Sequence, residues 1–360
     1  MEAGKSHTVV VGAGIVGTAI AYHLARRGAR VTLIDSGPPG GGVTARAFGW
    51  INVSYGTAGP NAPLRGLALV DYRRLDRELG HGLNIDWCGA LTWSTDPAET
   101  ERMVRDHAAH GHDVRLLDRA DIARAEPALV DLPNCAAHAV GEGAIDAAAA
   151  ARTLSEAARV AGAEVVAETA VTAIRVTDRR VAGIDTAAGP IVADTVVLAA
   201  GTGSPELCAP LGVAVPIRRS PAIRLRLRTP GPLVNGIVQG PAFEIRQAAT
   251  TTLYAAEDYI DDSADNGPDA IAGRTLAAIR AGLRGGKRVE LQDTLVGLRA
   301  IPADGHPIIG PAPSVPGLYL AVMHAGVTLA PTVGRLAAAE ILDGNPAPAL
   351  GHCRPDRFSV

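Results

Sequence analysis

Apolar and polar positions near the N-terminus follow two different periods in succession. Residues 9–11 are all valine, residues 15–25 have the apolar spacing of a helix, and residues 31–34 are again mostly apolar. Valine-rich runs are typical of buried strands, and a helical run that stops at Gly28 matches the glycine common at helix ends. The pattern therefore predicts a strand–helix–strand unit that ends at Asp35.

The same patterns predict further elements along the chain. Apolar spacings of three and four residues favour helices, whereas alternation or short apolar runs between turn residues favour strands. A glycine-rich segment from Gly40 to Trp50 predicts an irregular loop. The predicted helices are Pro63–Leu79, Pro97–His110 and Ala147–Ala161, and the predicted strands are Ala90–Ser94, Ala163–Ala167, Val171–Val176, Val181–Thr186, Ile191–Ala200 and Ile223–Arg228.

The last of these strands alternates strictly between apolar residues and arginines. Arg224, Arg226 and Arg228 therefore share one face of the strand. The default interpretation is the solvated outer face of an antiparallel sheet, and the alternative is an anion-binding site.

Three glycines join the first predicted strand to the first predicted helix. Their spacing, Gly12-x-Gly14-x-x-Gly17, is the one that dinucleotide-binding βαβ units use for a tight turn, close backbone approach to pyrophosphate and close helix packing. The phosphates would then lie at the partly positive helix N-terminus. Asp35 is placed to accept a hydrogen bond from a ribose hydroxyl. The spacing predicts dinucleotide binding but does not distinguish NAD from FAD.

Composition limits the classes of partner. The 360-residue chain is 47% hydrophobic and 20% charged, with a net charge of −3, so we expect a soluble globular protein that binds neither nucleic acid nor an anionic membrane. No apolar run approaches the roughly 20 residues of a membrane-spanning helix. Four widely spaced cysteines without a Cys-x-x-Cys pair favour a reducing, cytoplasmic location. We expect no metal, since the polar segment 258–267 lacks the spacing of a calcium loop.

Two segments near the C-terminus resemble a known family. Residues 297–310, GLRAIPADGHPIIG, and residues 317–331, GLYLAVMHAGVTLAP, are similar to the closing motif of the D-amino-acid oxidase and glycine oxidase superfamily of FAD enzymes. With the N-terminal glycines, the loop at 40–50 and the strand that ends at Gly201, the resemblance extends over nearly the whole chain. It favours FAD over NAD as the cofactor.

The resemblance implies an α/β fold with two domains. A Rossmann-like FAD-binding domain of the GR2 type would be assembled from residues 1–85, 143–215 and 290–360. A substrate-binding cap domain of the α+β type, built on an antiparallel sheet, would comprise residues 86–142 and 216–289. The cap would cover the isoalloxazine ring of the flavin.

The resemblance also implies which residues contact FAD. The glycine turn would bind the pyrophosphate, Val171 would lie near adenine, and the turn 324–328 would direct a helix N-terminus at the flavin. Sarcosine oxidases attach FAD to a cysteine at a position that corresponds to Gly297 or its neighbour in this chain, so we expect non-covalent FAD. The expected cofactor contacts are Gly12, Gly14, Ile15, Val16, Gly17, Asp35, Ser36, Thr44, Ala45, Gly49, Trp50, Val171, Ala200, Gly201, Arg299, His324, Ala325, Gly326, Val327 and Thr328.

For the substrate, the resemblance implies an arginine that binds a carboxylate. In related amino-acid oxidases an arginine in a Gly-Leu-Arg-Pro stretch donates two parallel hydrogen bonds, and here the stretch reads Gly-Leu-Arg299-Ala. The alternative for Arg299 is a structural or flavin-contacting role. The substrate-contacting aromatic residue corresponds to Phe243, which lacks a hydroxyl, so Tyr254 or Tyr259 is a candidate to replace it. The expected catalytic residues are Arg299, Phe243, Tyr254 and His324.

These residues predict an FAD-dependent oxidoreductase that oxidises the CH–NH bond of a small amino acid or secondary amine carboxylate by hydride transfer to flavin N5. The product would be an imino acid, with H2O2 if oxygen is the electron acceptor. Two alternatives stay open. One is a 2-hydroxy-acid oxidase or dehydrogenase, whose substrate carries the same carboxylate, and the other is the flavin subunit of a hetero-oligomeric dehydrogenase. A homo-oligomer is compatible with the sequence.

Overall fold

A computed structural model of the chain describes residues 6–56, 58–259, 261 and 263–358. In this part of the chain the helices are α1 (Ile15–Arg26), α2 (Ala62–Glu78), α3 (Pro97–Ala109), α4 (Arg119–Ala125), α5 (Ala147–Val160), α6 (Ser204–Cys208), α7 (Pro268–Gly282) and α8 (Gly326–Asp343). The strands are β1 (His7–Val11), β2 (Arg30–Ile34), β3 (Trp50–Ile51), β4 (Ala90–Thr92), β5 (Val114–Asp118), β6 (Cys135–Ala139), β7 (Gly143–Ala144), β8 (Glu164–Val166), β9 (Val171–Thr177), β10 (Arg180–Thr186), β11 (Gly189–Val192), β12 (Thr195–Leu198), β13 (Ile217–Arg228), β14 (Ile237–Gly240), β15 (Phe243–Ala249), β16 (Thr252–Asp258), β17 (Glu290–Pro302), β18 (Ile308–Pro311) and β19 (Leu318–Val322).

The N-terminal βαβ unit forms the centre of a six-stranded sheet. Its strand order is β18-β19-β12-β1-β2-β8, and every pair is parallel except β18 with β19. Helices cover one face of this sheet, and the three-stranded antiparallel sheet β9–β11 covers the other. Because both faces are covered, every residue of β1 is buried. This arrangement is the Rossmann-like part of the predicted α/β fold, which is confirmed.

Close helix packing supports this sheet. α1 lies between α5 and α8, and its contact with α8 requires a glycine. A Cβ atom built on Gly334 of α8 would lie 2.9 Å from the Cβ of Ala19 in α1 and 2.9 Å from the carbonyl carbon of that residue. The two helices can therefore approach at this distance only because Gly334 has no side chain.

The predicted strand Ile191–Ala200 is wrong as a single element. β11 ends at Val192, and β12 begins at Thr195 in a different sheet. Between them the carboxylate of Asp194 accepts a hydrogen bond from the backbone N–H of His7 at 2.8 Å. The chain crosses between the two sheets at this point, and a continuous apolar run does not reveal such a crossing.

The second large sheet has eight strands in the order β17-β13-β16-β15-β14-β4-β6-β5. Its pairs are antiparallel except β14 with β4, which are parallel. α7 packs on one face, with Ile271 and Ile279 in a core shared with Leu225 and Ile245. This is the sheet of the predicted cap. β17 also belongs to it, although the predicted boundary at residue 290 assigns β17 to the FAD-binding domain, and the exact domain boundaries stay a prediction.

The arginine-bearing strand is longer than predicted. β13 begins at Ile217, and its Arg226 and Arg228 are exposed, as expected for a solvated face. Arg224 is different, because it is partly buried and donates from Nη1 to the backbone oxygen of Ala45 at 3.0 Å. Its guanidinium also lies 4.5 Å from the ring centre of Tyr254. The solvated interpretation is therefore wrong for Arg224, which faces the other domain.

The described residues include neither a membrane-spanning helix nor a metal-binding cluster. None of the helices in these ranges is long and apolar enough to cross a membrane. The same residues include no group of three or more His, Cys, Asp or Glu side chains that could hold a metal ion. Residues 260 and 262 of the predicted polar loop 258–267 lie outside the described residues.

The contact between α1 and α8 gives a stability prediction. Gly334→Ala places a methyl group against Ala19, so we expect the protein to be destabilised by about 1–3 kcal/mol, the usual cost of overpacking. Gly273→Ala in α7 is the matched control, because a Cβ there meets no atom within 4 Å. This control is expected to raise stability by about 0.5–1 kcal/mol through helix propensity. Urea unfolding followed by circular dichroism measures both, and equal effects would contradict the packing argument.

Candidate active site

The turn between β1 and α1 is shaped by its glycines. Gly12 has a φ of +105°, and a Cβ there would lie 2.4 Å from the carbonyl oxygen of Ala199. A Cβ on Gly17 would lie 1.8 Å from the carbonyl oxygen of Gly12. Gly14 is the N-cap residue of α1 and has no side chain that could cap the helix. The N-terminus of α1 therefore remains open to a ligand with negative charge.

Asp35 and Thr44 surround this turn. One carboxylate oxygen of Asp35 accepts from the backbone N–H of Ala13 at 2.6 Å, and the other accepts from Gly37 at 2.8 Å. The hydroxyl of Thr44 accepts from the N–H of Ile15 at 3.2 Å. These contacts hold the loops after β1 and β2 together beside the helix N-terminus.

A cavity of about 1280 Å³ begins at this turn and continues to the eight-stranded sheet. It exceeds the roughly 300–1,000 Å³ usual for a pocket that holds a drug-sized ligand. Gly17, Ala45 and Tyr254 are not among its lining residues. The predicted site residues that line it are Gly12, Gly14, Ile15, Val16, Asp35, Ser36, Thr44, Gly49, Trp50, Val171, Ala200, Gly201, Phe243, Arg299, His324, Ala325, Gly326, Val327 and Thr328.

The N-terminus of α8 forms part of the cavity wall. Ala325 precedes the helix with a left-handed φ of +61°, and no side chain caps the first turn. The hydroxyl of Thr328 donates to the backbone oxygen of Trp50 at 3.2 Å and accepts from the N–H of Asn52 at 3.3 Å. The hydroxyl of Tyr72 donates to the backbone oxygen of Val327. These bonds fix a second partly positive helix end at the cavity.

Arg246 anchors the glycine-rich loop to the cap sheet. Its Nε donates to the backbone oxygen of Phe48 at 2.6 Å, and its Nη2 donates to that of Ile145 at 3.2 Å. Burial lowers the pKa of Arg246 to about 10. Gly49 must be small here, because its Cβ would lie 2.0 Å from the oxygen of Ile145. Sequence reasoning missed Arg246, since nothing local marks an arginine that bonds residues a hundred positions away.

Glu142 holds the segment that follows β3 and was also missed. Its fully buried carboxylate accepts from the indole Nε1 of Trp50 at 2.7 Å and from the backbone N–H groups of Val53 at 2.6 Å and Ser54 at 2.7 Å. Burial raises the pKa of this carboxyl, and the three donors oppose the rise. The three bonds direct the chain toward Tyr55, whose ring meets the Trp50 ring at a centroid distance of 5.8 Å.

Arg299 lies at the end of the cavity next to the cap sheet. Its Nη2 forms an ion pair with Asp258 at 2.8 Å and donates to the hydroxyl of Ser220 at 2.8 Å and the backbone oxygen of Pro221 at 3.3 Å. The Arg299 side chain is 24% exposed, and that of Asp258 is 68% exposed. Among the described residues, Nη1 of Arg299 has no hydrogen-bond partner. Nη1 is therefore available to donate to another carboxylate.

His324, Arg65 and Tyr55 complete this end of the cavity. Burial, together with the positive charges of Arg299 and Arg65, lowers the pKa of His324 to about 4, so its imidazole is neutral at pH 7. Arg65 donates to the amide oxygen of Asn52. Burial and the negative charge of Glu244 raise the pKa of Tyr55, so its hydroxyl remains protonated. Tyr55 lines the cavity, whereas Tyr254 and Tyr259 are not among the described residues that line it.

The two predicted aromatic residues differ in their relation to the cavity, because Phe243 lines it and Tyr254 does not. The ring of Phe243 packs in the cap core, where its Cε1 would lie 2.7 Å from a Cβ on Gly282 of α7. Tyr254 is enclosed by the guanidinium groups of Arg224 at 4.5 Å and Arg246 at 5.0 Å. A substrate contact by Phe243 or Tyr254 therefore stays a prediction. Alternation along β15 indicates two faces, but it does not say which face meets the cavity.

A Rossmann-like sheet with a glycine turn, joined by one long cavity to an antiparallel cap, defines an FAD-dependent oxidoreductase. The chain belongs to the DAO family, FAD dependent oxidoreductase, whose profile matches residues 7–340. The protein is thus an enzyme of the FAD-binding amino-acid and amine oxidoreductases.

Relatives of this chain include several oxidases. Glycine oxidase of Geobacillus kaustophilus (strain HTA426) is 26% identical over 344 residues, which cover 91% of this chain and 91% of that protein. The crystal structure of glycine oxidase from Geobacillus kaustophilus superposes with a TM-score of 0.88 at 24% identity and covers 99% of this chain and all of that chain. Iminodiacetate oxidase from Chelativorans sp. BNC1 superposes with a TM-score of 0.83 at 26% identity, over 97% of this chain and 98% of that chain.

The residues present fit FAD. A side chain at Gly12 would collide with the backbone of Ala199, and one at Gly17 would collide with the backbone of Gly12. The N-cap residues of α1 and α8, Gly14 and Ala325, form no side-chain cap bond, and both lie at the cavity. One helix end suits the pyrophosphate, and the other suits negative charge on the flavin ring. The cavity lining includes both Asp35, at the end of the βαβ unit, and Arg299, in the cap sheet.

Glu142 provides a test of this arrangement. In Glu142→Gln one carboxylate oxygen becomes an NH2 group that faces backbone donors, so we expect a loss of about 1–3 kcal/mol and weaker retention of FAD. Thermal unfolding and the flavin-to-protein absorbance ratio measure the two effects. Glu156→Gln, at an exposed position, is the control and is expected to change stability by no more than about 0.5 kcal/mol. Unchanged stability and flavin content in Glu142→Gln would count against the role of this carboxylate.

Proposed function

We propose that this enzyme oxidises the CH–NH bond of a small amino acid or secondary amine carboxylate. The observation that carries the proposal is Arg299, whose partly free guanidinium lies in the same cavity as the N-terminus of α8. A planar guanidinium binds a carboxylate through two parallel hydrogen bonds, which fixes the orientation of the substrate. A bound carboxylate would use Nη1 and compete with Asp258 for Nη2.

The cofactor and the protein have separate roles in this reaction. Bound FAD supplies a two-electron acceptor that takes a hydride from the substrate. The protein orients the substrate through Arg299 and keeps a neutral imidazole at His324. The N–H groups at the start of α8 offer a place for negative charge at that end of the cavity. The resulting imino acid is released to water, which hydrolyses it.

Non-covalent attachment of FAD is part of the proposal. Gly297 or its neighbour occupies the position where sarcosine oxidases have a cysteine, and a Cβ on Gly297 would lie 3.2 Å from the Cβ of Arg46. The four cysteines of the chain form no disulfide and are not among the described residues that line the cavity. We also keep a cytoplasmic location as a proposal on the basis of these free thiols.

The names of two relatives favour an amine over a hydroxy acid as the substrate. Glycine and iminodiacetate, the substrates named for those proteins, are both amine carboxylates. A 2-hydroxy acid stays the second candidate because Arg299 would bind its carboxylate equally well. A flavin subunit that passes electrons to a partner protein is the third candidate.

A substrate panel distinguishes the three candidates. Purified holoenzyme would be supplied with glycine, sarcosine, D-amino acids, proline and 2-hydroxy acids, and turnover would be followed as peroxide and as reduction of an artificial acceptor. We expect turnover of at least one amine carboxylate and no turnover of its hydroxy analogue. Turnover of hydroxy acids alone would contradict the proposal, and activity with the artificial acceptor but not with oxygen would favour the electron-transfer subunit.

Arg299→Ala tests the carboxylate site. Loss of the guanidinium removes a charge-assisted contact worth about 2 kcal/mol or more, so KM should rise at least about 30-fold while FAD stays bound. Steady-state kinetics with the best substrate of the panel and the flavin absorbance of the purified variant measure this. Arg226→Ala, an exposed arginine of the same sheet, is the matched control and should keep the native KM. An unchanged KM in Arg299→Ala would refute the assignment.

A further inference from the structure

Glu244 lines the same cavity as Arg299 and has no role in the proposed function described above. On β15 it pairs with Gln239 of β14 and Ala256 of β16. Residues two apart on a strand share a face, so Glu244 and Arg246 lie on the same face of β15. Arg246 donates to the backbone oxygens of Phe48 and Ile145, which lie outside the cap sheet. Glu244 is therefore directed at the cavity, of which it is a lining residue.

The carboxyl of Glu244 has no hydrogen-bond donor from the protein. Glu244 is half-buried, and no described residue donates to either of its oxygens, although the buried glutamates Glu126, Glu142 and Glu340 each accept a bond from a backbone N–H group. Buried polar groups in proteins nearly always have a partner. A carboxyl that faces a cavity without one is suited to a ligand that donates N–H.

The charged groups around Glu244 come from several elements. Glu257 and Asp258 of β16 add negative charge, and Arg299 of β17 adds positive charge. Tyr55, from the segment after β3, also lies nearby, because the negative charge of Glu244 contributes to the raised pKa of Tyr55. Burial is the largest cause that raises the pKa of Glu244 to about 8, followed by the two acidic neighbours, while Arg299 opposes the rise.

We propose that Glu244 binds the nitrogen of a primary or secondary amine carboxylate and accepts the proton of its ammonium group before oxidation. The inference deepens the proposed function and rests on it, because it takes Arg299 as the ligand of the carboxylate. The substrate would lie between the two side chains, with its carboxylate at Arg299 and its N–H groups at Glu244. The amine, not the carboxylate alone, would then determine specificity.

The proton transfer involves no change in oxidation state. One N–H bond of the ammonium breaks, an O–H bond forms at a carboxylate oxygen of Glu244, and the electron pair of the broken bond remains on nitrogen as a lone pair. That lone pair assists departure of the hydride from the α-carbon. Because the pKa of Glu244 is raised toward that of an amine, the transfer is less unfavourable than it would be to an ordinary carboxylate.

Other titratable groups at this end of the cavity are less suited to the role. Glu257 already accepts a hydrogen bond from the hydroxyl of Thr275 in α7 at 3.0 Å. Asp258 is paired with Arg299. His324 lies near two arginines, and its pKa of about 4 makes it a poor proton acceptor from an ammonium group.

Binding of two matched probes tests the inference without turnover. 2-Aminoisobutyrate has no α-hydrogen and is not oxidised at that carbon, and isobutyrate has the same skeleton without nitrogen. Isothermal titration calorimetry would give the Kd of each probe for the native holoenzyme, Glu244→Gln, Glu257→Gln and Arg299→Ala. Glu257→Gln is the matched control, since it removes a neighbouring carboxylate that the proposal does not use.

The native enzyme should bind 2-aminoisobutyrate at least about tenfold more tightly than isobutyrate. A tenfold difference in Kd is the smallest effect expected from one hydrogen bond to a charged group. Glu244→Gln should remove most of this preference, and Glu257→Gln should keep it. Retained preference in Glu244→Gln, or binding of neither probe by the native enzyme, would overturn the inference. Failure of the proposed function looks different, because Arg299→Ala would then leave the affinity of both probes unchanged.

The pH profile gives a second readout. Since Glu244 must be ionised to accept a proton, kcat/KM of the native enzyme should rise as the pH increases through about 8. In Glu244→Gln this limb should disappear, which leaves only the titration of the substrate amine, and Glu257→Gln should retain it. An identical profile in native enzyme and Glu244→Gln would contradict the role as proton acceptor.

Discussion

The close approach of backbone atoms at the β1–α1 turn is the constraint on which the rest of this structure depends. Without side chains at Gly12 and Gly17, the turn can lie against Ala199 and keep the N-terminus of α1 open. The same helix packs against α8 through Gly334, so the position of α1 also sets the position of α8. Two helix N-termini consequently open into one cavity, where one is suited to the pyrophosphate of FAD and the other to negative charge on the flavin ring.

The cap completes the site through polar bonds that span both parts of the chain. Arg246 holds the loop around Gly49, and Glu142 holds the segment that leads to Tyr55. These buried groups are expensive to desolvate and are stable only with their full set of partners. Because they are satisfied, they fix the loop geometry, while Arg299 and Glu244 retain free hydrogen-bonding capacity in the cavity. The polar groups with a full set of partners, Arg246 and Glu142, thus form the framework of the site. The groups without one, Arg299 and Glu244, are the proposed substrate-binding groups.

Sequence reasoning predicts the parts of this protein that depend on local chemistry. The βαβ unit and the limits of α2, α3 and α5 follow from periodicity and glycine spacing, whereas the helix start near Gly326 was implied by the resemblance to the family. The pairing of β17 with β13 and the inward orientation of Arg224 depend on long-range register, which a single strand does not encode. For the same reason sequence reasoning did not identify Glu244, although the resemblance to the family pointed to its neighbour Phe243. Alternation separates the two residues, but only the sheet shows that Glu244 faces the cavity.

The central claim is that a carboxylate of an amine substrate binds Arg299 beside the cofactor. A crystal structure of the FAD-bound enzyme with 2-aminoisobutyrate tests it most directly. We predict carboxylate oxygens within hydrogen-bond distance of Nη1 and Nη2 of Arg299, with the nitrogen directed at Glu244 and Asp258 displaced from Nη2. A ligand carboxylate bound away from Arg299, with the ion pair to Asp258 intact, would contradict the account.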